Sequence, residues 1–113
     1  MMDRSQSFNA PPFFDGSNYA FWKVRMRAFL CAIDELVWDF VENKYVKPTT
    51  AKSEWDKVAL ALANANSKAN NAIFCGVSTD EFHRISHVGI AKEAWTILET
   101  TYEGTKKVKD TKL

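Results

Sequence analysis

The chain has 113 residues, 46% of them apolar and 26% charged, and its formal net charge is +1. These values are typical of one soluble globular domain and argue against a disordered chain or a fibrous repeat. A charge this close to zero gives no overall field for binding nucleic acid or an acidic membrane. No secretory leader and no apolar run of about 18 residues are found, so the chain is expected to be intracellular and not membrane-bound.

Residues 1–14 are predicted to form an extended arm, because the pair Pro11-Pro12 favours polyproline geometry. The arm carries Phe8, Phe13 and Phe14, whose rings are candidates for docking. The turn-forming segment Asp15-Gly16-Ser17-Asn18 comes next. The side chain of Ser17 or Asn18 is expected to cap a helix that begins near Asn18.

The first predicted helix is apolar on two sides, which predicts a central helix covered on both. Cys31 lies on the second side, and Cys75 lies in a later apolar helical pattern. Both thiols are expected to be small buried side chains in a reducing compartment. The first side holds Tyr19, Trp22, Met26, Phe29, Leu30 and Ile33, and the roughly opposite side holds Phe21, Val24, Ala28 and Cys31.

Two further helices are predicted before residue 76. Asp34 and Glu35 favour the start of a short helix that carries Leu36, Val37, Phe40 and Val41 and ends before the connector 43–48. Ser53-Glu54-Trp55-Asp56 is close to a capping box and predicts that a long helix starts at Ser53. Asn66 falls inside its apolar stripe, either as a hydrogen-bonded core residue or as part of an interface. The stripe is Trp55, Val58, Ala59, Leu62, Ala65, Ala69 and Ile73.

Glycines mark the ends of the remaining helices. Gly76 is predicted to end the third helix, Ser78-Thr79-Asp80 to begin a fourth that continues through Phe82 to Ile85, and Gly104 to end the fifth. Gly89 separates the last two, and no segment alternates like a β-strand. The sequence therefore predicts an all-α compact bundle of about five helices. The inward stripe of the fifth helix is Ala91, Trp95, Leu98 and Tyr102.

Residues suited to catalysis or metal binding are few. His83 and His87 have the i, i+4 spacing that would place both imidazoles on one helix face, but the glutamate of a metalloprotease motif is absent between them. No phosphate-binding glycine loop occurs. We therefore expect no catalytic residue, no metal and no cofactor. Lys106, Lys107, Lys109 and Lys112 could contact RNA phosphates, although no aromatic residue lies among them to stack on a base.

Two segments resemble the Gag polyproteins of copia-type LTR retrotransposons. Residues 12–30, PFFDGSNYAFWKVRMRAFL, resemble the family pattern P-x-F-D-G-x-N-Y-x-x-W-x-x-R-M-x-x-F-L. Residues 91–105, AKEAWTILETTYEGT, resemble the pattern A-K-E-A-W-x-x-L-x-x-x-Y-E-G-T found further along the same family. One departure is Gly89-Ile90, where relatives often have a polar N-cap.

The resemblance implies a helical domain akin to the N-terminal lobe of a retroviral capsid, which packs against copies of itself into a shell around RNA. It also implies that the family continues beyond Leu113 into further helices and a zinc knuckle that carry dimerisation and RNA packaging. Most motif residues are then expected to build the core: Phe14, Gly16, Tyr19, Trp22, Met26, Phe29, Leu30, Trp95, Leu98 and Tyr102.

The organisation predicted from both lines of reasoning is an arm at 1–14, a helical capsid-like domain at 15–104, and a basic tail or further helix at 105–113. The principal hypothesis is a non-catalytic structural protein whose partner is itself. The alternative is a domesticated Gag-derived adaptor that binds peptides in an apolar groove, which the arm could fill. Candidate interface residues are Phe8, Phe13, Trp38 and Tyr45, and the expected location is the cytoplasm.

Overall fold

The computed structural model describes residues 10–104, which fold into five α-helices and one short 3-10 turn. The predicted all-α bundle is thus confirmed. Within the described residues the backbone forms no β-strand, only an isolated parallel bridge between Phe14 and Val77. No helix of this part of the chain is long and apolar enough to cross a membrane. The helices are α1 (Tyr19–Ile33), α2 (Glu35–Glu42), α3 (Lys57–Cys75), α4 (Thr79–Ile85) and α5 (Ala91–Glu103).

Helix α1 begins where the sequence predicts, but without the predicted cap. Asn18 has a positive φ of 54° and its side chain makes no capping hydrogen bond. The Asp15 carboxylate instead accepts bonds from the Ser17 hydroxyl and the Ser17 backbone N–H, at 2.7 and 3.0 Å. These two bonds lower the pKa of Asp15. Gly16, with φ 100°, supplies the backbone conformation that this turn needs.

Helix α2 follows α1 after a single extended residue, Asp34. Its carboxylate accepts a hydrogen bond of 2.9 Å from the Leu36 N–H, so the predicted cap is present. The buried face of α2 carries Val37 and Val41, and the helix packs against α1, α3 and α5.

Helix α3 begins four residues later than the capping-box pattern predicts. Residues Lys52–Glu54 form a 3-10 turn, and the cap is Asp56, whose carboxylate accepts from the Ala59 N–H at 2.8 Å. The prediction of a start at Ser53 is therefore wrong, because Asp56 offers a stronger, charged acceptor to the same helix. Val58 consequently lies in the first turn and is exposed rather than inward.

Helix α5 has no capping side chain next to it in sequence, and the cap comes from α3. Ile90 precedes the helix and provides none. Asn66 of α3 lies buried beside this end, where its Oδ1 accepts from the Ala91 N–H at 3.1 Å and its Nδ2 donates to the Gly89 carbonyl at 3.2 Å. Asn66 is therefore a hydrogen-bonded core residue, and it supplies the N-cap that Gly89-Ile90 lacks.

The described end of the arm docks onto the link between α3 and α4. The Phe14 N–H donates to the Gly76 carbonyl at 2.8 Å, and the Ser78 N–H donates to the Phe14 carbonyl at 2.9 Å. Gly76 ends α3 as predicted. A Cβ at Gly76 would lie 2.5 Å from Met26 Cε and 2.8 Å from the Pro12 carbonyl oxygen, so the arm can approach only a glycine here.

Candidate assembly surface

The two family-like segments meet in one aromatic cluster in the core. Phe14 from the arm is 1% exposed, and its ring centroid lies 5.0 Å from that of Trp22 on α1 and 4.9 Å from that of Tyr102 on α5. The ring centroid of Tyr19 lies 5.6 Å from that of Phe14 and 5.5 Å from that of Tyr102. The contacts of Tyr102 with Phe14 and Tyr19 join residues that are more than 80 positions apart in sequence, so both segments help to close the fold.

Two tryptophans extend the cluster toward α2. The ring centroid of Trp95 on α5 lies 5.7 Å from that of Trp22, with the two rings stacked. It lies 5.4 Å from that of Trp38, whose ring is nearly perpendicular to it. Most of the other residues predicted to form the core are buried as well. Met26, Leu30 and Leu98 are fully buried, Phe29 is partly buried against the core, and Gly16 lies beside the hydroxyl of Tyr102.

A buried carboxylate that no local sequence pattern indicates connects α4 to α5. Glu81 of α4 accepts a hydrogen bond from the Tyr102 hydroxyl, and its other oxygen lies 3.2 Å from Arg84 Nε. Burial, followed by the bond to Glu81, raises the pKa of Tyr102. Glu81 looks like an exposed helix residue in the sequence, because its neighbours Asp80, His83 and Arg84 are polar.

A second set of charges joins α1 to α5. Lys23 Nζ lies 3.1 Å from Glu99 Oε2 and 2.9 Å from Glu103 Oε2. Burial opposes the charged form of Lys23, but the bonds to Glu103 and Glu99 outweigh it and raise the pKa. Burial, reinforced by the same two carboxylates, raises the pKa of Tyr19 well above its ordinary value. The bonds of Lys23 to Glu99 and Glu103 stabilise the packing of α1 against α5.

The histidine pair is not arranged for metal binding on one helix face. His83 lies on α4, but the helix ends at Ile85 and His87 follows it, with both side chains exposed. Across residues 10–104, no group of three or more histidine, cysteine or acidic side chains is placed to hold a metal ion.

The second apolar side of α1 faces solvent, which contradicts the prediction of a central helix covered on both sides. Phe21 is 57% exposed and Val24 is 67% exposed, and Ala28 and Cys31 are exposed with them. Helices α2 and α3 both pack on the opposite side, where Trp22, Met26 and Leu30 are buried. We call Phe21, Val24, Ala28 and Cys31 the outer face of α1. Such an exposed apolar stripe is typical of a protein–protein interface.

Both cysteines are exposed free thiols, so the expectation that they are buried is wrong. Cys31 belongs to the outer face of α1. Cys75 lies at the last position of α3, where its thiol contacts the Asn71 side chain at 3.7 Å. Cys31 lies on an apolar stripe that no described helix covers, whereas Cys75 shares its side of α3 with the exposed residues Lys68 and Asn71.

The candidate interface residues lie in different environments. Phe13 is 64% exposed, next to the buried Phe14. Trp38 is half-buried between Trp95 and the Arg27 guanidinium, which lies 5.3 Å from its ring. Tyr45 is buried and packs edge-on against Phe40, so it offers little surface to a partner. Phe8 and the four tail lysines, Lys106, Lys107, Lys109 and Lys112, lie outside the described residues.

A cleft of about 670 Å³ lies between the connector 45–55 and α3. Its lining mixes Trp55 and Leu60 with Lys47, Lys52 and several polar side chains of α3. It is therefore not the continuous apolar groove that the peptide-adaptor hypothesis requires.

Comparison with known protein families gives a match. The family described as the gag-polypeptide of LTR copia-type matches residues 26–113, which is most of the chain and includes the segment 91–105. No curated protein and no solved structure matches, so the expected likeness to a retroviral capsid lobe stays a prediction.

Proposed function

We propose that this chain, which belongs to the gag-polypeptide family of copia-type LTR retrotransposons, is a non-catalytic structural domain that associates with copies of itself. Gag polypeptides are the structural proteins of such elements, and the matched residues include α2 to α5 and the C-terminal half of α1. The proposed partner is a second copy of the chain, and the proposed setting is the cytoplasm.

The observation that carries the proposal is the outer face of α1. The side chains of Phe21 and Val24 are large, apolar and exposed to solvent, on a helix whose other side buries Trp22, Met26 and Leu30. Burying them against a second copy would remove apolar surface from water, which is the main driving force for protein association. A lattice needs only weak individual contacts, because many of them act together.

The polar clusters support a structural role rather than catalysis. Glu81 connects α4 to α5 through Tyr102, and Lys23 connects α1 to α5 through Glu99 and Glu103. Lys23 and Glu81 are thus each bonded to a neighbouring helix. RNA binding through the tail lysines is proposed only as a secondary contribution, because phosphate contacts there would be independent of sequence.

The proposal is tested by light scattering and negative-stain electron microscopy over a concentration series. We expect the mean mass to rise with concentration and Val24→Asp to suppress the rise, because a buried carboxylate would oppose association. The matched control is Thr100→Asp, an exposed position on α5, which should behave like the unmodified chain. A mass that stays monomeric throughout, or equal effects of the two variants, would contradict the proposal.

A further inference from the structure

We propose that two copies of the chain pack the outer faces of α1 against each other, antiparallel, with Ala28 of one copy opposite Ala28 of the other. This inference rests on the proposed function and specifies which surface forms one of its contacts. Three features of this region support it, namely the shape of the face, its exposed apolar side chains and the order of charges along α1.

The shape of the face allows close helix packing. Ala28 is small and lies near the middle of α1, Cys31 is small and lies near its C-terminal end, and Phe21 lies toward its N-terminal end. Small side chains at a crossing point let two helix axes approach closely, and larger side chains on either side then fill the remaining space. In an antiparallel pair, Phe21 of one copy reaches the C-terminal end of α1 of the other, where Leu36 is also exposed.

The charges along this region are self-complementary in one orientation. Arg25 borders the N-terminal half of the face, where its guanidinium lies 5.3 Å from the Phe21 ring. Asp34 and Glu35 follow the C-terminal end of α1. None of the ion pairs between described residues involves Arg25 or Glu35. An antiparallel pair brings Arg25 of each copy toward the acidic end of the other, whereas a parallel pair would place like charges side by side.

Disulfide trapping tests the proposed register. The background carries Cys31→Ser and Cys75→Ser, which removes the two exposed thiols. In the proposed pair, Ala28→Cys in this background places one thiol from each copy at the crossing point, where the two Cα atoms are within the separation that a disulfide requires. The control is Ala61→Cys, an exposed alanine on α3. Under mild oxidant we expect Ala28→Cys to form covalent dimers at least about tenfold faster than the control, and equal rates would overturn the inference.

Charge reversal tests the orientation. Arg25→Glu and Glu35→Lys should each weaken self-association, and the double variant should restore it, because the pair is then present with its signs exchanged. Asp34 is left unchanged because it caps α2. A double variant that associates no better than the single ones would overturn the antiparallel arrangement. Circular dichroism of each variant verifies that the helices are intact.

These experiments separate the two proposals. If the unmodified chain associates but Ala28→Cys traps no faster than Ala61→Cys, self-association stands and the α1 contact is wrong. If the unmodified chain does not associate at any concentration, the proposed function and the α1 contact both fail.

Discussion

Replacement of Asn66 by alanine should destabilise the fold more than its position on a helix suggests. Alanine removes both hydrogen bonds that close the start of α5, from the Ala91 N–H at 3.1 Å and to the Gly89 carbonyl at 3.2 Å. Ala91 is fully buried, so water cannot replace the lost acceptor for its N–H. An unsatisfied buried donor costs about 1–3 kcal/mol. Alanine recovers about 0.5 kcal/mol through its higher helix propensity.

The net loss expected for Asn66→Ala is therefore about 1.5 kcal/mol in the free energy of unfolding. Urea unfolding followed by circular dichroism measures this loss. The comparison requires that the slope of the unfolding free energy against urea concentration is the same in the variant and in the unmodified chain. Asn64→Ala is the matched control, since Asn64 is an exposed residue of the same helix and should show only a small gain. Equal stability of the two variants would refute the assignment of Asn66 as the cap of α5.

Two further predictions concern the aromatic cluster. Phe14→Ala should lower the free energy of unfolding by about 3–5 kcal/mol, as for other buried phenylalanines, whereas Phe13→Ala at the exposed neighbouring position should change it by less than about 0.5 kcal/mol. Urea unfolding of both variants checks this, and similar losses would show that the arm does not dock through Phe14. Tyr19→Phe should raise stability at pH 7 by about 1 kcal/mol, because the Tyr19 hydroxyl is buried without a hydrogen-bond partner. Burial raises the pKa of Tyr19, so its neutral form is favoured in the folded state. The free energy of unfolding is therefore unaffected by this group below pH 10 and falls as the pH rises above that value. Tyr19→Phe should therefore lose less stability than the unmodified chain between pH 9 and 11, and an identical loss would contradict this.

The positions of the helices could be predicted because their signals are local. Gly76 and Gly104 end helices, Asp34 caps α2, and apolar residues at helical spacing mark each buried face. The start of α3 was predicted wrongly, because Ser53 and Asp56 both offer capping oxygens and local sequence does not decide which one wins.

The remaining differences depend on contacts between distant residues. Periodicity shows that Phe21 and Val24 share a side of α1, but it cannot show whether another helix covers that side. The cap of α5 comes from Asn66, 25 positions before Ala91, and no local pattern reveals it. Glu81 is buried beside Tyr102, which lies 21 positions later in the sequence.

Sedimentation velocity of the unmodified chain over a wide concentration range tests the central claim most directly. A chain that assembles through an exposed apolar face is expected to show a weight-average sedimentation coefficient that increases with concentration, with the increase lost in Val24→Asp. A single monomeric species at every concentration would contradict the claim that this domain associates with itself.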